Sequence, residues 1–382
     1  MATAASLPLV PDRLRQARET TGQSTRSVAR QLQLWGYAVS HTTIANYETG
    51  KSMPSHEILT VLAKVYERQR DWFYSTGPTF AGLRYRALKA VRASDKQTFE
   101  GNALSWFIVY LTAEARGLDP VEPPKDLVIS HDDSGRDVAQ RIRDHYGFKT
   151  FPIPSIARLL ENFGIRVIQV ESTARIDGFA ALLGEVRVVA VNSRLSNDRI
   201  RMNLAHELAH HLFKDCITGG KLPDDEIERR AMECASHLLI PDEPLRQAFA
   251  LKSMVRLVQY KERYGISLAA MIFRAKQSRI LSDHLYKHLW VEFGRLGWRK
   301  DEPGYVAPDR PLRMEAILDA AIEQRLMSTK EIAAIVGVDE RAVRQRIAAA
   351  RGGLASVAAS SGHLGPMHID YYRREQSDLK EI

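Results

Sequence analysis

Two histidines four residues apart, with a glutamate directly after the first, stand at His206-Glu207-Leu208-Ala209-His210. Leu204, Leu208 and Leu212 recur every four residues through Ser196–Lys214, a spacing that predicts a helix with one apolar stripe. On a helix, residues i and i+4 stand one above the other, so the two imidazoles can grip a single ion. Glu207 falls beside them, where a carboxylate can take the proton of an attacking water. H-E-x-x-H on a helix is therefore the pattern of a zinc hydrolase. The same five residues also fit an ordinary helix with two core or solvated histidines.

A catalytic zinc takes three ligands from the protein and keeps a position open for water, so a third ligand is needed. The next predicted helix, Pro223–Leu239, offers Glu226, Glu228, Glu233, Cys234 and His237, and Cys216 lies between the two helices. Carboxylate, thiolate and imidazole all bind zinc, and residue type alone does not choose among them. His211 lies about 100° round the helix from His210 and is expected to cap or pack rather than ligate. Cys216 and Cys234 read as ordinary reduced residues, with Cys234 in the core.

The chain has 382 residues, enough for two or three domains with separate cores. Hydrophobic residues make up 45% and charged residues 26%, which suits globular protein and argues against a disordered chain. No apolar run approaches the length of a membrane span, Met1–Val10 lacks the basic start of a secretory signal, and no membrane partner is expected. Two cysteines give no disulfide framework and fit a reducing cytoplasm. A net charge of +8 permits a polyanionic partner such as DNA. Seven basic residues crowd Lys252–Arg279 against Glu262 alone, which reads as a solvated face.

Periodicity and caps divide the chain into mainly helical units with one small β-sheet. Four helices are predicted over Asp12–Thr20, Thr25–Leu34, Ser40–Thr49 and Ser55–Arg70, with Gly22 and Gly50 as terminators. A basic opening (Arg84, Arg86, Lys89, Arg92, Lys96) then leads into a long helix, Thr98–Arg116, and a proline-bearing linker, Asp119–Asp133. Helices over Arg136–Tyr146 and Phe151–Phe163 precede strands at Ile165–Val170, Asp177–Leu183 and Val186–Asn192, the last two parted by the hairpin signal Gly184-Glu185. An edge of that sheet can hold an extended substrate by strand addition. Helical pattern resumes over Pro244–Leu296. Three short helices follow at Leu312–Leu326, Thr329–Val336 and Asp339–Ala349.

Two stretches carry family resemblances. "SVARQL…VSHTTIANYETGKSMPSHEILTVLAKVY" resembles the XRE, lambda-repressor-like helix-turn-helix family and keeps Glu48, Gly50, Lys51 and Pro54 of its E-x-G-K-x-x-P turn. It departs by extra residues around Leu34–Tyr37. The resemblance implies that the third helix enters the major groove of double-stranded DNA. Ser40, His41, Thr42, Thr43, Asn46 and Lys51 would then face bases and phosphates. Domains of this kind also serve as protein-binding modules.

"GFAALLGEVRVVAVNSRLSNDRIRMNLAHELAHHLF" with "EIERRAMECASHLLIP" resembles the ImmA/IrrE metallopeptidases, whose A-H-E-x-x-H helix follows a strand ending in Asn. The match takes in Asn192, Ala205–His210, Glu228, Ala231, Ala235, Leu238, Leu239 and Pro241. It implies a zincin-like α+β domain binding Zn2+ through His206, His210 and Glu228, with Glu207 as catalytic base. Arg230, Met232 and Cys234 depart from the family's second motif. Met232 replaces the polar residue that would orient a ligand, which leaves Glu233 as reserve ligand and the peptidase open to being feeble.

"STKEIAAIVGVDERAVRQRIAAAR" resembles a second helix-turn-helix of general type, implying DNA contact from Arg341, Arg344 and Arg346; a three-helix interaction module has the same pattern. The expected organisation is a DNA-binding domain over 1–75, a helical connector over 76–133 and a peptidase domain over 134–297. A linker over 298–311, a helix-turn-helix-like bundle over 312–351 and a disordered tail over 352–382 complete it. The expected function is a cytoplasmic transcription regulator whose peptidase domain cleaves a repressor protein. The alternative is a regulator whose peptidase-like domain senses a ligand or partner and cleaves nothing. Palindromic operators make a homodimer plausible.

Overall fold

The computed structural model describes residues 9–68, 70–74, 80–87, 91–117, 121–130, 132–214, 223–250 and 253–348. Cys216 and the tail expected over 352–382 lie outside the described residues. The fold is mainly helical around one four-stranded sheet.

The N-terminal unit holds α1 (Pro11–Thr20), α2 (Thr25–Leu34), α3 (His41–Glu48) and α4 (His56–Val65), followed by a 3-10 turn at Arg70–Tyr74. Ser24, Ser40 and Ser55 each accept a backbone N–H from the first turn of the helix they precede, as N-cap serines do. Leu14, Val28, Leu32, Ile44, Leu59, Leu62 and Tyr66 close the core of this unit.

Beyond it come β1 (Phe80–Ala87) and α5 (Ala93–Ala115), then α6 (Gly135–His145) and α7 (Ile156–Asn162). The sheet is completed by β2 (Arg166–Val170), β3 (Ile176–Leu183) and β4 (Val186–Asn192), in the order β1-β3-β4-β2. β1 and β3, and β3 and β4, run antiparallel; β2 runs parallel to β4. Gly184 turns the β3–β4 hairpin at φ 63°, a conformation that favours glycine. The second predicted helix of this region is shorter than expected because Pro152 and Pro154 hold the chain extended before it.

Both faces of the sheet are covered, so the inner strands β3 and β4 read as nearly continuous apolar runs. Val167, Ala180, Val189 and Val191 face α8 (Asn197–Leu212) and α9 (Asp224–Leu239). Ile168, Phe179, Ala181, Val188 and Ala190 face α5 and the C-terminal helices α14 (Arg313–Glu323), α15 (Thr329–Val336) and a last helical run over 340–348. The three C-terminal helices thus share the core behind the sheet. Helices α10 (Asp242–Ala250), α11 (Met254–Tyr264), α12 (Leu268–Gln277) and α13 (Asp283–Arg295) buttress α8 and α9.

The stretch 298–311 runs as a strap across this body. Glu302 accepts from Leu268 N and Ala269 N at the start of α12 and pairs with Lys261 at 3.0 Å. Asp309 caps α7 and pairs with Arg201 on α8 at 2.6 Å. Glu161 on α7 accepts from Leu312 N and Arg313 N, fixing where α14 begins.

Candidate metal centre and nucleic-acid face

Helix α8 lies between the sheet and α9, and every residue from Ile200 to His211 is buried. The helix is pinned by His211, whose Nε2–H donates to the Val188 carbonyl of β4 at 3.0 Å. Burial pushes the His211 imidazole down to about 3, against the opposing hydrogen bond, so it stays neutral. That bond points His211 at the sheet, away from His206 and His210.

Helix α9 is held by the close backbone approach of α6 and by two buried arginines. A Cβ at Gly135 would run into the Arg230 carbonyl and lie 2.6 Å from Cys234 N, so α6 can start only with glycine there. Arg274 donates to the Ser236 carbonyl at 2.6 Å and to the Ile240 carbonyl, and Arg143 donates to the Leu238 carbonyl. Together they satisfy the carbonyls at the C-terminal end of α9, where the helix dipole also favours positive charge. Asp224, Asp225 and Glu226 occupy the opposite, N-terminal turn.

This packing brings His206, His210 and Glu228 together. Glu228 Oε2 stands 3.1 Å from His206 Nε2, Glu228 Oε1 stands 3.4 Å from His210 Nε2, and the two Nε2 atoms are 3.1 Å apart. Ligand atoms of a tetrahedral zinc site, each about 2.0–2.1 Å from the ion, stand about 3.3 Å apart. The donor set, two imidazoles and one carboxylate, and its spacing both fit such an ion. Burial works to raise the Glu228 carboxyl, but hydrogen bonds and charge from His206 and His210 outweigh it and hold the group well below the ordinary carboxylate range. His206, Glu207 and His210 are at most 2% exposed, whereas the Glu228 side chain is 46% exposed, so the cluster meets solvent on the α9 side.

The reserve candidates stand elsewhere. Cys234 is buried in the core, its thiol pushed up to about 12 by burial, and His237 donates to the Glu233 carbonyl. Glu233 is not among the three residues that converge. Arg230 lies over the Phe213 ring at 3.9 Å, and Met232 packs against the core. The sequence marked Asn192 without its role. Its Oδ1 accepts from Ser172 N and Arg194 N, and its Nδ2 donates to the Ser172 and Ile176 carbonyls, tying the β2–β3 loop to the turn that leads into α8. The Arg201–Asp309 pair was not foreseen, because its partners lie more than a hundred residues apart.

In the N-terminal unit, His41 and Thr42 are exposed at the start of α3, and Lys51 is exposed after it. Ser40 and Thr43 bond each other and cap the helix, and Asn46 is half-buried. Glu48 faces inward and takes a bidentate contact from Arg18 of α1 at 2.6 and 2.8 Å, so the signature glutamate fixes α3 rather than offering itself to a ligand. Of the extra residues, Leu34 at the end of α2 and Trp35 just after it are exposed. At the C-terminus Arg341 and Arg344 are exposed, Arg344 in contact with Glu340 at 2.8 Å. Arg346 turns inward, stacked over Trp106 at 4.1 Å and paired with Glu315 at 3.1 Å.

Residues 160–276 match the family model of the IrrE N-terminal-like domain, an M78-type peptidase, and residues 12–71 match a helix-turn-helix domain model. The chain thus carries a helix-turn-helix domain ahead of an IrrE N-terminal-like domain. The first match spans β2 to α12 and so contains both α8 and α9; the second spans α1 to α4. No curated protein matches the chain. Among the described residues, no helix is long and apolar enough to cross a membrane.

Proposed function

We propose that this DNA-binding regulator is a zinc-dependent endopeptidase that cleaves a repressor protein. The observation that carries the reading is the convergence of His206, His210 and Glu228 beside the buried Glu207 on one helix. A bound Zn2+ would be held by those three residues and would supply Lewis-acid polarisation of the scissile carbonyl and of the attacking water. Glu207 takes the water's proton and returns it to the leaving amine. Burial of both imidazoles excludes competing water and keeps their rings fixed, with α8 anchored through His211 and α9 through Arg143 and Arg274. An extended segment of the substrate adds to the edge of the sheet.

The helix-turn-helix domain supports binding of double-stranded DNA, with His41, Thr42 and Lys51 presented and Ser40, Thr43 and Asn46 alongside. Arg341 and Arg344 are candidates for a second contact. Two such domains in a homodimer would match a palindromic operator. A reduced cytoplasm is the compartment that suits a DNA-binding chain with two cysteines.

One observation favours the second reading, a regulator that senses and does not cut: His206, Glu207 and His210 are almost wholly covered. Co-expression with the repressor encoded nearest the gene decides between them, with Glu207→Gln beside the parent chain. Cleavage by the parent alone supports the peptidase. An intact repressor in both, with normal operator binding, refutes it. Zinc analysis of His206→Ala and Glu228→Ala tests the ligand set separately, since each should lose the ion that the parent retains.

A further inference from the structure

The substrate expected here is an extended polypeptide, and such a chain binds a sheet by pairing with an edge strand. Within the matched region, 160–276, the sheet comprises β3, β4 and β2, and β3 forms the edge next to the hairpin. That edge is occupied by this chain itself. β1, which lies outside the matched region, runs antiparallel along β3.

The strand also reaches the helix that carries Glu228. Arg84 pairs with Ala180, and Ala180 belongs to the apolar cluster that holds α8, so Arg84 points to the α8 side of the sheet. From there Arg84 Nη1 reaches Asp224 Oδ1 on α9 at 2.8 Å. Asp224 precedes Glu228 by four residues and so stands one helical turn from it on the same face. On the opposite side of β1, Tyr85 and Phe80 set their rings edge-on to Phe179, at 5.7 and 5.0 Å between centroids. The pairing is irregular: the register shifts between Ala81 and Arg84 and again between Arg86 and Ala87. Such breaks in the ladder weaken a strand's hold on its partner. An irregular edge strand pointing an arginine at the metal-site helix has the form of a bound peptide.

We propose that β1 is a built-in substrate mimic: it fills the peptide-binding edge of β3, and its Arg84–Asp224 contact marks a subsite for a basic side chain of the substrate. Cleavage then requires that β1 leave the edge and that a segment with arginine or lysine opposite Asp224 replace it. This rests on the peptidase reading. It adds a substrate preference and an internal competitor.

The test reads binding, in the full chain carrying Glu207→Gln so that no cleavage intervenes. The probe is a fluorescein-labelled peptide copying residues 78–90, followed by anisotropy. Tyr85→Pro removes the ring contact and a strand-compatible backbone from β1, and should tighten peptide binding by about tenfold or more, because the competent state is no longer a minor one. A peptide with alanine in place of its arginine at position 84 should bind that chain about fivefold more weakly, the reach of one exposed ion pair. Asp224→Ala should abolish the difference. Equal affinity with and without Tyr85→Pro, whether strong or weak, overturns the proposal. So does indifference to the arginine. Should Tyr85→Pro fail to fold, Arg84→Glu carries the same test: affinity rises, and it falls back in Arg84→Glu/Asp224→Arg, where the ion pair is rebuilt in reverse. A chain that binds the peptide as expected but never cleaves with Glu207 restored refutes the peptidase reading alone.

Discussion

The carboxylate of Asp309 has no solvent-exposed surface and accepts four hydrogen bonds: from Ser155 Oγ at 2.7 Å, Ile156 N at 2.7 Å, Ala157 N at 3.1 Å and Arg201 Nη1 at 2.6 Å. Arg201 is itself buried on α8, five residues before His206, and also donates to the Ile153 and Pro154 carbonyls. Asp309→Ala therefore does two things. It takes the acceptor from the first two N–H groups of α7, worth about 1 kcal/mol, and it strands a buried guanidinium, worth about 3–5 kcal/mol. Arg201 keeps its two carbonyl partners, which places the sum near the lower end, about 4 kcal/mol.

Against a whole-domain stability of about 5–15 kcal/mol this is a large fraction. The unfolding midpoint should fall by about 10 °C in a body of this size. Thermal unfolding followed by circular dichroism measures the midpoint, and urea unfolding the free energy. Because Arg201 rides on the metal-site helix, zinc affinity should fall in the same variant. The discriminating control is Arg201→Met/Asp309→Leu, which removes both charges and should recover most of the loss, as replacement of buried ion pairs by apolar side chains does. A single substitution costing less than about 1 kcal/mol, or a double variant no better than the single, would refute the argument.

Gly135→Ala should destabilise by about 1–3 kcal/mol and weaken zinc binding, since its Cβ forces α6 off the α9 backbone around Arg230 and Cys234; an unchanged zinc affinity would show that the approach is not what places Glu228. Burial, then the charge of Glu19, lifts the Glu100 carboxyl to about 7, in the region where α5 meets α1 and Thr98 Oγ1 donates to the Glu19 carbonyl. Burial likewise raises Glu19, opposed by Arg18 and Arg15. An unfolded glutamate releases its proton near pH 4.3, so between there and about pH 7 the folded chain binds more protons, and stability falls as pH rises. Glu100→Gln should flatten that slope when urea midpoints are compared from pH 5 to 8; parallel profiles would contradict it. Lys51→Ala should weaken operator and random DNA alike and reduce the salt dependence of binding by about one phosphate contact, whereas a loss confined to the operator would assign Lys51 to a base.

The features that were legible in the sequence are the ones whose cause is local. The i, i+4 spacing of His206 and His210, the Ser40 cap of α3, and the Gly184 hairpin each depend on residues within a turn of one another. Strand β1 has the composition of a basic opening because Arg84 and Arg86 lie in it, with Lys89 and Arg92 following in the sequence. The period-2 signal of Leu83 and Tyr85 alternating with Arg84 and Arg86 was present, but Gly82 and a bulge interrupt it. The stretch 298–311 looked like a linker for a related reason. Its prolines and glycines are real, yet Glu302 and Asp309 find their partners on α11, α12, α7 and α8, and no sequence period reports a contact across that separation.

The C-terminal arginines show how far helical periodicity reaches. Arg341, Arg344 and Arg346 fall on a helix where the spacing i, i+3, i+5 cannot keep all three on one face. Val343 and Ile347 settle which face is inward, since both are buried against the sheet-side core. Arg346 lies between them and follows them in, trading solvent for the Trp106 ring and the Glu315 carboxylate. Its stem covers apolar surface while its charge is balanced, the usual way a long cation enters a core margin. A DNA contact from this helix thus falls to Arg341 and Arg344. Arg344→Ala should change DNA affinity without changing stability, and Arg346→Ala should do the reverse. Unfolding midpoints and salt-dependent DNA titrations on the two variants separate the roles, and a DNA defect in stably folded Arg346→Ala would overturn the division.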